Sequence, residues 1–179
     1  RRSNIRRMIK AAYERDTTTL WVARDLGYRG GRRTGLALTD EVHLSHLGEK
    51  LGVGEFLRAT KGPAVAERTA TVIWDTLLRI EEPVMLWNVF PFHPHEAHNP
   101  MSNRCHTRKE RTRAEPLFLE LIDLLKPKRI IAIGRDAAQG LADMSLPLSL
   151  ARHPSYGGQT EFVRQMEEFY NLKPKQLRQ

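Results

Sequence analysis

Four short apolar segments, each followed by glycine or polar residues, most strongly constrain what this chain can fold into. They cover residues 20–23, 84–90, 129–134 and about 146–151. Apolar runs of this length, bounded by turn residues, are typical of buried strands. Stretches with helical periodicity separate them, at about residues 4–15, 65–80, 114–125, 135–142 and 160–170, and a further helix is expected to start at residues 39–41. The alternation predicts a three-layer α/β/α sandwich with a central four-stranded parallel sheet, forming a single domain over residues 1–179 with a basic C-terminal tail at about residues 173–179.

Polar side chains that can do chemistry lie at or just after the ends of these predicted strands. Asp25 follows the first strand, Asn88 and His93 lie at the end of the second, and His153 follows the last. The carboxyl ends of parallel strands share one edge of the sheet, where open α/β proteins bind their ligands. We therefore expect these residues to gather in one site.

The loop after the first strand is rich in both glycine and arginine, and it contains a single carboxylate. Asp25 lies among Arg24, Arg29, Arg32 and Arg33. Glycines let a backbone approach a ligand closely, and arginines bind phosphates. The pattern is typical of a reactive group beside a polyanion, and it is equally typical of a capping aspartate in a solvated basic loop.

The charge of the whole chain points to the same kind of partner. The 179 residues carry a formal net charge of +8, and the sequence pI is about 10.0. A second basic cluster spans residues 103–113 and includes Arg108; it is either a DNA contact or a solvated helix start. Such a balance favours a nucleic acid as partner.

Composition also limits the cofactor classes that the chain can use. A single cysteine, Cys105, excludes an intramolecular disulfide and any four-cysteine metal site. Two histidine groups, at residues 43–46 and 93–98, have spacings that can ligate metal, but packing and a proline-stiffened loop are the plainer interpretations. We expect no metal, no cofactor, no membrane segment and a cytoplasmic location. The tryptophans at positions 21, 74 and 87 are expected in the core.

An acid, an amide and a histidine at one edge suit hydrolysis of a bond between a sugar and a heterocyclic base. The carboxylate of Asp25 can orient water, and the paired donor and acceptor of Asn88 can read a base edge. His153 can donate a hydrogen bond to charge developing on the leaving base. Phe92 and Tyr156 offer surfaces for stacking or wedging. The alternatives are structural roles for Asn88 and His153, as a backbone partner and a helix cap.

Three motifs in this order resemble the uracil-DNA glycosylase superfamily. The first is Ala-Arg-Asp-Leu-Gly-Tyr at residues 23–28, followed by Thr-Gly-Leu-Ala-Leu-Thr at 34–39. The second is Leu-Trp-Asn-Val-Phe-Pro-Phe-His-Pro at 86–94, and the third is His-Pro-Ser-Tyr-Gly-Gly at 153–158. The resemblance in order and spacing covers residues 20–165, nearly the whole domain. The ordered set is specific, whereas each motif alone is weak.

The resemblance implies a role for each matching residue. Asp25 would position water and His153 would stabilise the departing base anion, so both are predicted catalytic residues. The predicted base-binding residues are Asn88, Tyr28, Leu38 and Phe92. The predicted DNA-binding residues are Arg29, Arg32, Arg33, Arg108, Ser155, Tyr156 and Gly157.

The activity that the resemblance implies is a monofunctional DNA glycosylase acting as a monomer on uracil or a modified pyrimidine. Leu38 stands where relatives commonly have an aromatic residue that stacks on the base. This difference favours an alternative, a glycosylase for a bulky modified base in foreign or phage DNA. A non-catalytic DNA-binding member and a hydrolase of free nucleotides are further alternatives.

Overall fold

A computed structural model describes residues 1–142, 144 and 147–174. Its centre is a four-stranded sheet made of β1 (Thr19–Asp25), β2 (Val84–Phe90), β3 (Arg129–Ile133) and β4 (Leu148–Ala151). The strand order is β2-β1-β3-β4, and every pairing is parallel. The predicted parallel sheet is therefore confirmed.

Strand β1 lies inside the sheet and pairs on both sides. Its residue Ala23 is in register with Asn88 of β2, and Asp25 is in register with Phe90. On the other side, Val22 is in register with Ala132 of β3. Since all strands run in one direction, their last residues and the loops that follow lie along the same edge.

The described residues contain seven helices: α1 (Arg2–Glu14), α2 (Gly31–Thr34), α3 (Leu44–Leu51), α4 (Arg68–Leu77), α5 (Arg108–Leu125), α6 (Arg135–Leu141) and α7 (Gln159–Tyr170). Helix α1 packs against α5 and β2, whereas α4 packs against α7. The connections from β1 to β2 and from β2 to β3 run in opposite directions across the sheet, so right-handed crossovers place α4 and α5 on opposite faces. This arrangement gives the three layers.

The core lies between the sheet and its two helical layers. Trp21 and Trp74 are fully buried and Trp87 is 7% exposed, which confirms their prediction as core residues. Trp21 also donates from Nε1 to the hydroxyl of Tyr170 at 2.7 Å. This bond ties the central strand to the last helix and satisfies the buried indole donor.

Several predicted boundaries differ from the structure. The loop after β1 contains one short helix, α2, and α3 begins at Leu44 instead of near Thr39 because the Asp40 carboxylate accepts the backbone N–H groups of Val42 and His43 in a turn. The fourth predicted strand began at Leu146, which lies outside the described residues, as do residues 175–179 of the basic tail.

Helix α5 begins six residues before its predicted start, because a capping box fixes its first turn. The Thr107 side chain accepts the N–H of Glu110 at 3.2 Å, and the Glu110 carboxylate accepts the N–H of Thr107 at 2.7 Å. Two backbone donors that a helix start leaves unpaired are thereby satisfied. The second basic cluster is therefore largely the exposed first turns of a helix.

No helix in the part of the chain described here combines the length and the apolar character that crossing a bilayer requires.

Removing the cap should weaken α5 measurably. We expect Thr107→Ala to lower the free energy of unfolding by about 1 kcal/mol, because the N–H of Glu110 loses its acceptor. Urea denaturation measures this change. Thr112→Ala, an exposed position on the same helix, is the matched control and should leave stability unchanged or slightly raised. Equal losses in both variants would contradict a capping role.

Candidate active site

Asp25 ends the central strand, and its carboxylate is held by two neighbouring side chains. Arg24 donates from Nε to Oδ2 of Asp25 at 2.9 Å, and Nδ1 of His106 lies 3.3 Å from the same oxygen. Arg24 also donates from Nη1 to Asp136 at 2.7 Å, which links the carboxylate to the start of α6. The Asp25 side chain is only 10% exposed, so the ion pairs are partly shielded from water.

His153 is placed by the loop that follows β4 and by a glycine after β3. Nδ1 of His153 lies 2.7 Å from the hydroxyl of Ser155 and accepts the backbone N–H of Ser155 at 3.2 Å. A β-carbon at Gly134, where φ is +95°, would lie 3.0 Å from Cβ of His153. Only glycine combines that backbone conformation with such a close approach.

The electrostatics around His153 favour its neutral form. Burial lowers the pKa of His153 below its usual value, and the positive charges of Arg24 and Arg152 lower it further, against the opposing effects of Asp136 and Asp25. Because the N–H of Ser155 is donated to Nδ1, the neutral ring carries its proton on Nε2. The site therefore offers an uncharged imidazole whose Nε2–H is a donor.

Asn88 is a buried amide without an internal partner. The residue is 1% exposed, and neither Oδ1 nor Nδ2 makes a hydrogen bond with any described residue. Buried side-chain amides are nearly always satisfied because leaving them unpaired costs free energy. It lies on β2 in register with Ala23 of β1, two residues before the end of its strand at the carboxyl edge.

A cavity of about 530 Å³ adjoins this edge. It lies between α1, α5 and the loops after β1 and β2, and most of its walls are apolar. Asn88 and Phe92 line it, whereas Tyr28, Leu38, Asp25 and His153 do not. The cavity therefore does not include the two predicted catalytic residues.

Two further predicted base-binding residues lie in the loop after β1. The N–H of Tyr28 donates to Oδ1 of Asn103 at 2.9 Å, which joins this loop to the segment before α5. Leu38 is half-buried against the core and has a φ of +53°. Phe92, on the neighbouring loop, is 52% exposed, and its carbonyl oxygen accepts the N–H of Leu26 at 3.1 Å.

The predicted DNA-binding residues differ in their solvent exposure and in their contacts within the protein. Arg29 and Arg108 are exposed, and Arg32 is half-buried at the cavity. Arg33 is engaged internally: its guanidinium lies 2.8 Å from the buried carboxylate of Glu41. Its assignment as a phosphate contact stays a prediction, with this ion pair as a competing role.

The loop after His153 presents an aromatic side chain to solvent. Tyr156 is 98% exposed and has a φ of +50°, and Gly157 beside it has a φ of +75°. A positive φ is uncommon for a residue other than glycine. Ser155 precedes it and contacts the histidine, so the loop joins a candidate catalytic group to a candidate wedge.

Sequence reasoning missed two contacts of the site. His106 appeared only as a member of a basic cluster, and Arg24 only as a phosphate-binding charge. Asp25 and His106 are 81 positions apart, and no local pattern links them. The capping box that begins at Thr107 could have been recognised in the sequence, and it would have placed His106 immediately before a helix.

The chain belongs to the uracil DNA glycosylase superfamily. The profile of that superfamily matches residues 25–172 of the 179-residue chain, which includes both predicted catalytic residues. Comparison with curated proteins returns no significant match. Membership indicates a DNA glycosylase, and it accounts for the three-layer fold around a parallel sheet.

Replacing the unpaired amide should stabilise the protein. We expect Asn88→Leu to raise the free energy of unfolding by about 1 kcal/mol, because an unsatisfied buried polar group is removed. Urea denaturation gives the value.

Asn4→Leu is the matched control for this change. Asn4 is equally buried, but its amide bonds the backbone of Thr34 and Leu57 at 2.9–3.2 Å. Replacing Asn4 should lower the free energy of unfolding by about 2 kcal/mol or more, because the backbone groups of Thr34 and Leu57 lose their hydrogen-bond partners. A loss of stability in Asn88→Leu as well would indicate that Asn88 has a structural role.

The depressed pKa of His153 should make stability depend on pH. In the unfolded chain the imidazole takes up a proton near pH 6.5, whereas the folded protein does so only at lower pH. The unfolded state therefore binds more protons in that window, and the free energy of unfolding falls as pH decreases from 6.5 toward the folded pKa. Between about pH 7.5 and 5.5, the wild type should lose more stability than His153→Gln. Equal losses in urea titrations would contradict a depressed pKa.

Proposed function

We propose that this protein is a monofunctional DNA glycosylase that hydrolyses the N-glycosidic bond of uracil or a modified pyrimidine and leaves an abasic site. The observation that carries the proposal is the unpaired amide of Asn88, buried at the same edge as Asp25 and His153. A flipped pyrimidine would supply the acceptor and donor that this amide lacks.

Asp25 would act on the attacking water and on the sugar. In hydrolysis of a glycosidic bond, positive charge develops on the sugar as the base departs, and a carboxylate stabilises that charge and orients the attacking water. Among the described residues, Arg24 and His106 both contact Asp25 through its Oδ2 oxygen. The other oxygen, Oδ1, accepts no hydrogen bond from a described residue and is available for this role.

His153 would serve the leaving group. As the bond to the sugar breaks, the electron pair moves onto the base and leaves it as an anion. A neutral imidazole with its proton on Nε2 donates a hydrogen bond to that charge. The depressed pKa of His153 and the N–H of Ser155 on Nδ1 support this assignment.

The remaining predicted residues would hold the DNA. Exposed arginines at positions 29 and 108 and the half-buried Arg32 supply charge for phosphates, in keeping with a net charge of +8. Tyr156, which is 98% exposed on its loop, would occupy the space that the flipped base leaves in the stack. Binding of this kind weakens steeply as salt concentration rises.

A bulkier base is the second candidate substrate. Leu38 lacks the aromatic ring that would stack on uracil, and the cavity of about 530 Å³ beside Asn88 has the size of a small-molecule site. A modified pyrimidine with a large substituent at its ring would place that substituent in this space. The protein would then act on modified foreign DNA instead of on deaminated cytosine.

A panel of labelled oligonucleotides tests these assignments. Each carries one target base: uracil, 5-hydroxymethyluracil, hypoxanthine, hydroxymethylcytosine or glucosylated hydroxymethylcytosine. Alkali then cleaves any abasic site, and parallel samples without alkali should stay intact if the enzyme is monofunctional. We expect single-turnover excision of a pyrimidine, with His153→Ala and Asp25→Asn each slowed about 100-fold or more.

His98→Ala and Asp123→Asn, at two exposed positions that do not line the cavity, are the matched controls and should excise at the wild-type rate. Excision confined to a glucosylated base would establish the second candidate. No release of any base, with salt-sensitive DNA binding intact, would overturn the enzymatic proposal and leave a DNA-binding protein.

A further inference from the structure

Among the described residues, two side chains bond the Asp25 carboxylate: its neighbour Arg24, and His106 from the entry to α5. A carboxylate oxygen only accepts hydrogen bonds, so Nδ1 of His106 must be the donor in the 3.3 Å contact. The side chains of both residues are 10% exposed. Water therefore competes little for this bond.

The fold fixes the His106 ring from two directions. The residue immediately precedes Thr107, whose capping box anchors the start of α5. Its ring also packs on Phe90, with ring centroids 5.3 Å apart and planes inclined at 39°. Phe90 is the residue of β2 that is in register with Asp25. The imidazole is thus held against the strand pair that carries the carboxylate.

Arg24 and His106 bind the same oxygen of Asp25. A single donor would leave the carboxylate free to rotate about its Cβ–Cγ bond, whereas two donors on Oδ2 restrict that rotation. Oδ1 is consequently held in a fixed position without a bond from any described residue. A general base or charge-stabilising group needs such fixed geometry, since a displacement of about 1 Å lowers a rate about 100-fold.

We propose that His106 is a positioning residue for Asp25, holding Oδ2 so that Oδ1 faces the water that attacks the sugar. The inference rests on the proposed glycosylase function and adds a residue to it. The hydrogen bond from Nδ1 of His106 fixes the orientation of the Asp25 carboxylate, and the packing of the His106 ring against Phe90 holds that donor in place.

Two substitutions separate the hydrogen bond from the packing. His106→Phe keeps a planar ring against Phe90 but has no donor. His106→Asn gives up the ring but retains an N–H group near the position of Nδ1. The readouts are the single-turnover excision rate on the best substrate of the oligonucleotide panel, the dissociation constant for the same DNA, and urea denaturation.

We expect His106→Phe to excise about 10- to 100-fold more slowly than the wild type while its dissociation constant for DNA and its stability change little. His106→Asn should recover most of that rate. In an Asp25→Asn background, His106→Phe should have no further effect, because the carboxylate that it positions is absent. His98→Phe, at an exposed position, is the control for adding a phenyl ring.

Three results would overturn the inference. The excision rate of His106→Phe could equal that of the wild type, or His106→Phe and His106→Asn could lose the same amount of rate. The third is that His106→Phe lowers the rate as much in the Asp25→Asn background as in the wild type. Each is measurable only if the wild type excises a base. Failure of the wild type on every substrate is a failure of the proposed function, which distinguishes the two cases.

Discussion

The parallel pairing of β1 with strands on both sides is the constraint on which the rest of the structure depends. It brings the ends of β1 and β2 into register, so that Asp25 lies opposite Phe90 and Ala23 opposite Asn88. The loops after β3 and β4 reach the same edge, where Gly134 leaves room for His153. Asp25 and His153 are 128 positions apart in the sequence. The parallel sheet nevertheless brings the Asp25 carboxylate, the Asn88 amide and the His153 imidazole to one edge.

Arg24 acts on both predicted catalytic groups. It donates a hydrogen bond to the Asp25 carboxylate, as does His106. Its positive charge also adds to burial in lowering the pKa of His153. One arginine therefore holds the Asp25 carboxylate and supports a neutral His153, which can donate from Nε2 to the charge that develops on a departing base.

The sheet and most helices were predictable because apolar runs and helical periodicity are local signals. The residues 84–90 were predicted as a strand and form β2 with those bounds. The contact of His106 with Asp25 was not predictable, since it depends on tertiary packing of the α5 entry against β2. The internal pairing of Arg33 with Glu41 was also missed, because the loop conformation that brings them together has no helical or strand periodicity. Sequence therefore identified the chemical groups, whereas their partners required the fold.

The most direct test of the central claim is a crystal structure with duplex DNA that contains 2′-fluorinated deoxyuridine, whose glycosidic bond resists hydrolysis. We expect an extrahelical base whose pyrimidine edge lies about 2.7–3.2 Å from Oδ1 and Nδ2 of Asn88. We also expect a water molecule on Oδ1 of Asp25 facing the sugar. A base that remains stacked in the duplex, or an Asn88 amide bonded only to protein or solvent, would contradict it.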